Sequence, residues 1–225
     1  MADDPAVSVM DELCIRFVNT VGWRLRSAGE ERLATPEAVL HWLADNDLAS
    51  RTDVASLVSS WRRDTDAAAA FHAEAMGLRE AVYSVLRARI EGAVPSADQI
   101  GLLNRWLARP MAGVELTVRG DALCWRPASP GASPVDLLRP VALSAAELMT
   151  GPRAARVRQC ADSGGCGWLF VDESRAQNRR WCSMGDCGNR AKAARHRARK
   201  RQVRHASVSA RAPSVAHGPG SPTNE

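Results

Sequence analysis

The chain has 225 residues, with 30 Lys+Arg, 25 Asp+Glu and a formal net charge of +5. A hydrophobic share of 45% supports a packed core and excludes wholesale disorder. No run approaches the roughly 20 continuous apolar residues of a membrane span. The mild charge averages two unlike regions. Residues 1–152 hold 15 Arg against 20 acids, a net of −5; residues 153–225 hold 15 Lys+Arg against 5 acids, a net of +10. Such asymmetry suggests that one segment meets a polyanion. The length suits a domain of about 150 residues plus a small module. The acidic start, Met1-Ala2-Asp3-Asp4-Pro5, carries no apolar signal segment. A cytoplasmic location, with reduced thiols, is therefore expected. Six cysteines then read as metal ligands or core residues before disulfides.

Residues 8–20 place Val9, Leu13, Phe17 and Val18 at helical spacing. Residues 21–34, rich in Gly, Arg and Glu, read as a loop. Thr35-Pro36-Glu37 is a helix start, with a Thr cap, Pro at the first position and an acid in the first turn. Asp53 is expected to cap a short helix carrying Val54, Leu57, Val58 and Trp61. The longest helical pattern runs from about Asp64 to Glu91, closed by Gly92 and Pro95. Ser96 is placed to cap a helix through Leu107. Val114–Val118 and Leu123–Trp125 alternate with period two around Arg119-Gly120-Asp121, which predicts a β-hairpin. A loop over 127–134 leads to a last helix near 135–149, ended by Gly151-Pro152. The fold class is mainly α with a β-hairpin over 1–152, then a small α+β module over 153–205. Residues 206–225, with little bulky apolar content, predict a disordered tail.

Cys160, Cys166, Cys182 and Cys187 form the pattern C-x5-C-x15-C-x4-C. Two short-spaced pairs joined by a hairpin-sized segment suit one zinc ion held tetrahedrally by four thiolates, which has no redox chemistry and acts as a staple. An iron–sulfur cluster is the chemical alternative. A module this small needs such a staple. Gly164, Gly165 and Gly167 permit tight turns, and Trp168-Leu169-Phe170-Val171 with Trp181 can build a small core beside the metal. The segment after Cys187 should be a helix starting at the last ligand. Cys14 and Cys124 read as small core residues.

Arg180-Trp181-Cys182-Ser183-Met184 followed by Cys187-Gly188-Asn189-Arg190-Ala191-Lys192 resembles the CGNR zinc finger. Cys160 and Cys166-Gly167-Trp168-Leu169-Phe170-Val171-Asp172-Glu173-Ser174 match the rest of that module, over about 153–201. The N-terminal part resembles the ABATE domain that accompanies this finger, through Phe17-Val18-Asn19-Thr20 and Leu40-His41-Trp42-Leu43. It departs from that pattern at Arg16, where an acid is usual. The resemblance implies a zinc-dependent nucleic-acid-binding protein, a bacterial regulator of transcription tied to stress, and no enzymatic activity.

Residues 190–204 hold eight Lys/Arg. A helix this basic lacks an apolar face, whereas phosphates would relieve its self-repulsion and release counterions. The expected nucleic-acid contacts are Arg179, Arg180, Arg190, Lys192, Arg195, Arg197, Arg199, Lys200 and Arg201, with Arg190 and Lys192 foremost for phosphate. Arg153, Arg156, Arg158 and Arg175 add charge around the finger. DNA is the expected partner. Single-stranded RNA, an acidic protein surface, or the chain's own acidic domain are the alternatives. Asn189 reads as a helix N-cap, or else as a base contact. Asn19 and Thr20 cap the first helix or bind a small molecule. His41 and His72 read as surface or capped residues. No catalytic constellation is legible in 1–152, so no enzyme is expected. That domain is read as sensing a small molecule or forming a homodimer.

Overall fold

The computed structural model describes residues 12–109, 114–119, 122–127 and 133–209. The order is α1 (Leu13–Val18), β1 (Val21–Gly22), β2 (Glu30–Glu31), α2 (Pro36–Asp45), α3 (Arg51–Trp61), α4 (Thr65–Ile90), α5 (Ala97–Leu107), β3 (Val114–Arg119), β4 (Ala122–Pro127), α6 (Arg139–Thr150), β5 (Val157–Gln159), β6 (Leu169–Val171) and α7 (Asn189–Ser209). Short 3-10 turns at Pro134–Leu138 and Pro152–Arg156 lead into α6 and β5. The three strand pairs, β1–β2, β3–β4 and β5–β6, are each antiparallel.

The helix starts follow local chemistry. Thr35 Oγ1 accepts from the Ala38 amide at 3.2 Å ahead of Pro36. Asp64 caps α4, accepting from Ala67 at 2.9 Å. Ser96 and Gln99 form a reciprocal capping box on α5. At α3 the cap is Ser50, not Asp53: Asp53 is the third helical residue and returns the bond to the Ser50 amide. The segment 21–34, expected as a loop, contains the short β1–β2 pair, with Val21 opposite Glu31. Alternation placed the β3–β4 hairpin correctly, with Thr117 opposite Cys124. Its turn residues 120–121, the 128–132 part of the expected loop, and residues 1–11 lie outside the described residues.

Helix α4 is the spine. Phe71, Ala75, Leu78, Val82, Val85 and Leu86 are buried along one stripe, against α1, α2, α5 and α6. Cys14, Ile15, Phe17 and Val18 of α1 are fully buried. Burial pushes the Cys14 thiol up to about 12, which makes it an inert core group. The side chain of Cys124 lies outside the described residues. The core continues past residue 152: Val157, Leu169 and Val171 pack into the same cluster as the α4 stripe. A second, smaller cluster comprises Phe170 and the four remaining cysteines, flanked by Trp168 and Trp181.

Candidate metal centre and basic helix

The Sγ atoms of Cys160, Cys166, Cys182 and Cys187 all lie within 4.8 Å of one another, and all four residues are buried. Cys166–Cys182 and Cys182–Cys187 are separated by 3.7 and 3.5 Å. A tetrahedron with Zn–S near 2.3 Å has edges of roughly 3.8 Å, so the donor set fits one zinc ion. Zinc supplies structural charge neutralisation there and no redox step. The four thiols also act strongly on one another. Hydrogen bonds from Cys166 and Cys182 draw the Cys160 thiol down. Cys166 and Cys182 are pushed up by their bonds to that thiolate, and Cys187 by burial. Four thiolates this close repel one another, and a dication in their midst offsets that repulsion.

The first cysteine pair sits on a loop closed by the Cys160 amide donating to Trp168 O at 2.8 Å. Gly165 and Gly167 adopt φ of +93° and +71°. A Cβ on Gly165 would lie 2.8 Å from Arg26 Cγ, and one on Gly167 2.8 Å from Leu25 Cγ. Both glycines are therefore needed for conformation and for close approach of the N-terminal turn. That turn grips the loop. The amides of Arg24 and Leu25 donate to Cys166 O and Gly165 O at 3.0 and 3.1 Å, and Arg26 Nε donates to Gly164 O at 2.6 Å. The Trp168 indole donates to Val21 O at 2.9 Å. Nothing in the cysteine spacing reveals this grip; Phe17-Val18-Asn19-Thr20 pointed to the place without the partner. Asn19 ends α1 through its backbone amide, while its side chain is engaged elsewhere. It pairs with the backbone of Leu169 in β6. Thr20 donates to Phe17 O and accepts from buried Arg79, whose guanidinium also holds Glu31. Arg16, at the usually acidic position, has a buried Nε without a hydrogen-bond partner among the described residues. His72 Nε2 lies 2.7 Å from Leu33 O, and His41 is exposed.

The second cysteine pair is positioned by a π-type turn, Met184–Gly188, that runs directly into α7. The last ligand thus lies inside the helical run. The cap is Ser183, accepting from Asp186 at 3.2 Å. Asn189 is not the N-cap: its amide donates backwards to Gly185 O at 2.7 Å. The helix extends to Ser209, so residues 206–209, read as tail, are helical; residues 210–225 lie outside the described residues.

The structure sorts the expected cationic contacts into two groups. Arg190 is held internally: Nε and Nη2 donate to Asp162 at 3.1 and 3.0 Å, Nη2 also reaches Cys187 Sγ at 2.8 Å, and Nη1 pairs with Asp186. Its guanidinium also covers the Trp23 ring at 4.7 Å. Arg179 donates to Trp181 O at 2.9 Å and to Cys182 O, and lies over Phe170. Arg153 and Arg156 pair with Glu173, and Arg153 also with Glu12. By contrast, the side chains of Lys192, Arg197, Arg199, Lys200 and Arg201 are exposed and make no ion pair or hydrogen bond among the described residues. Arg180 and Arg195 approach the Trp181 ring at 5.3 and 5.9 Å and make no ion pair among the described residues. From 192 to 202 only Ala194 is half-buried. The acidic domain therefore does not neutralise the described part of this helix, which at 21 residues is about 30 Å long.

A family model described as ABATE, "Putative stress-induced transcription regulator", matches residues 11–152, and one described as CGNR zinc finger matches residues 156–200. No curated protein matches the chain. No helix among the described residues is long and apolar enough to cross a membrane.

Proposed function

Since the chain belongs to the ABATE family and carries a CGNR zinc finger, we propose that it is a zinc-dependent regulator of transcription that binds duplex DNA through α7. The observation that carries this is the contrast within one basic segment. Arg190, beside the metal, is spent on Asp162, Asp186 and Cys187, while Lys192, Arg195, Arg197, Arg199, Lys200 and Arg201 project without an acid. A two-sided cationic rod that repels itself gains most from a phosphate surface, where counterion release drives binding. Zinc fixes the turn from which the rod emerges, so metal loading and binding are coupled. Arg180, beside the Trp181 ring that Arg195 also approaches, extends the positive surface. The helical domain acts as the sensing or dimerising part. The chain is read as a binding protein, not an enzyme, working at the nucleoid in the cytoplasm.

The test is fluorescence anisotropy of the full zinc-loaded chain with random-sequence duplex DNA and single-stranded RNA, across salt concentrations. Expected is duplex binding that weakens steeply with salt and disappears on chelation or in Cys182→Ser. Preference for single strands transfers the helix to RNA. Binding to neither at low salt overturns the nucleic-acid reading and leaves an acidic protein partner.

A further inference from the structure

A cavity of about 360 Å³ lies where α4 meets β5 and the turn that precedes it. Its apolar wall is Leu86 and Ile90 from α4 with Ala154, Ala155 and Val157 from the other side; its charged edge is Arg89 and Arg158. No acid lines it among the described residues. Arg153, Arg156 and Arg190 around the finger are paired with acids, whereas Arg89 and Arg158 make no salt bridge among the described residues. Arg89 lies in the last turn of α4 and has no side-chain partner among the described residues. Arg158 donates Nη1 to Ala155 O at 2.6 Å and to Val157 O at 3.0 Å, which fixes the guanidinium. Its Nε and Nη2 make no hydrogen bond among the described residues, although its charge also acts on the Asp172 carboxyl. A guanidinium held by one amine and open along its other edge is prepared for a carboxylate. Pockets of this size with an apolar wall and a few convergent polar groups are the usual form of small-molecule sites.

We propose that this cavity binds a small organic anion, a carboxylate bearing a short aliphatic tail, with the carboxylate between Arg89 and Arg158 and the tail against Leu86 and Ile90. One wall belongs to the helical spine. The other is the strand that leads, within three residues, to the first zinc ligand, Cys160. A ligand there bridges the sensing domain and the finger. The proposal supplies the sensing role named above with a site and a ligand class, and it stands whether or not α7 binds DNA, because it is read by ligand binding alone.

The experiment is calorimetric titration of the full zinc-loaded chain with sodium hexanoate, hexanol and inorganic phosphate. Expected is saturable binding of hexanoate, at least about tenfold tighter than either the alcohol or phosphate. The variants Arg89→Glu and Arg158→Gln should each weaken it about tenfold or more; Arg109→Gln, at the end of α5, should leave it unchanged. The Arg89 side chain makes no hydrogen bond or ion pair among the described residues, so its variant remains informative even if Arg158→Gln loosens β5. Equal binding of phosphate overturns the amphipathic ligand. Hexanoate binding that survives Arg89→Glu, or that never saturates, overturns the site.

Discussion

Asn19 and Leu169 exchange two hydrogen bonds across 150 residues of chain: Asn19 Nδ2 donates to Leu169 O at 2.8 Å, and the Leu169 amide donates to Asn19 Oδ1 at 2.9 Å. The side-chain amide stands in for a neighbouring strand, satisfying the outer edge of β6 where no third strand continues the sheet among the described residues. Leu169 itself is fully buried in the core shared with α4. Asn19→Ala leaves both Leu169 backbone groups short of a partner and should cost about 1–3 kcal/mol of stability. Urea unfolding of the zinc-loaded protein measures this. A loss below about 0.5 kcal/mol would show that water replaces the amide at no cost.

The same contact links metal occupancy to the helical domain. Val157, Leu169 and Val171 belong to the main core, and the N-terminal turn donates to Gly165 O and Cys166 O. Chelation should therefore remove hydrogen-exchange protection not only at residues 157–171 but also at Arg24, Leu25 and the end of α1. Exchange measured with and without chelator checks this. Unchanged protection in 12–25 would mean that the helical domain stands without the finger.

Two glycine substitutions should act in opposite directions. Gly167→Ala meets a φ of +71° and a contact of 2.8 Å to Leu25 Cγ, and should destabilise by more than about 1 kcal/mol. Gly77→Ala, inside α4 with nothing within 4 Å of the added Cβ, should stabilise by roughly 0.5–1 kcal/mol. Thermal unfolding of the two variants in zinc gives both signs in one experiment.

Glu31 supplies a pH dependence. Burial pushes its carboxyl up, but the Arg79 hydrogen bonds outweigh that and hold it below 4.5. A depressed carboxyl contributes stability that is fully present above its unfolded value and fades as pH falls through the folded one. The stability difference between the wild type and Glu31→Gln should thus be about 1–3 kcal/mol at pH 6 and shrink progressively below about pH 4.5. Taking the difference cancels the zinc loss that acid causes in both proteins. A difference independent of pH would place the charge effect elsewhere.

Much of this was legible in advance, for physical reasons that also mark where it stopped. The Thr35 and Ser96 caps, the α4 stripe and the β3–β4 hairpin are local patterns, and each appeared where its spacing put it. The four cysteines were legible because a metal imposes its own spacing. What could not be read was non-local. Asn19 does end α1, but its side-chain partner Leu169 lies 150 residues away and leaves no local signal. Arg190 looked like a phosphate contact because Asp162 is 28 residues upstream. Asn189 looked like a cap because the π-type turn that moves the cap to Ser183 has no sequence period of its own.

That division of the arginines makes the last prediction quantitative. Replacing a free cation of α7, as in Arg195→Ala, Arg197→Ala or Arg199→Ala, removes no described hydrogen bond or ion pair. Each should leave zinc content and unfolding unchanged and should lower the salt slope of duplex binding by about 1 for each phosphate it had neutralised. Arg190→Ala should behave differently. It strips Asp162, which is buried, of its guanidinium and Cys187 Sγ of a donor, so zinc retention against a competing chelator should weaken while the salt slope of the fully loaded protein stays the same. Anisotropy over a salt series, with zinc measured on the same samples, separates the two classes. If Arg190→Ala reduces the slope with zinc retention intact, Arg190 leaves Asp162 for a phosphate in the complex.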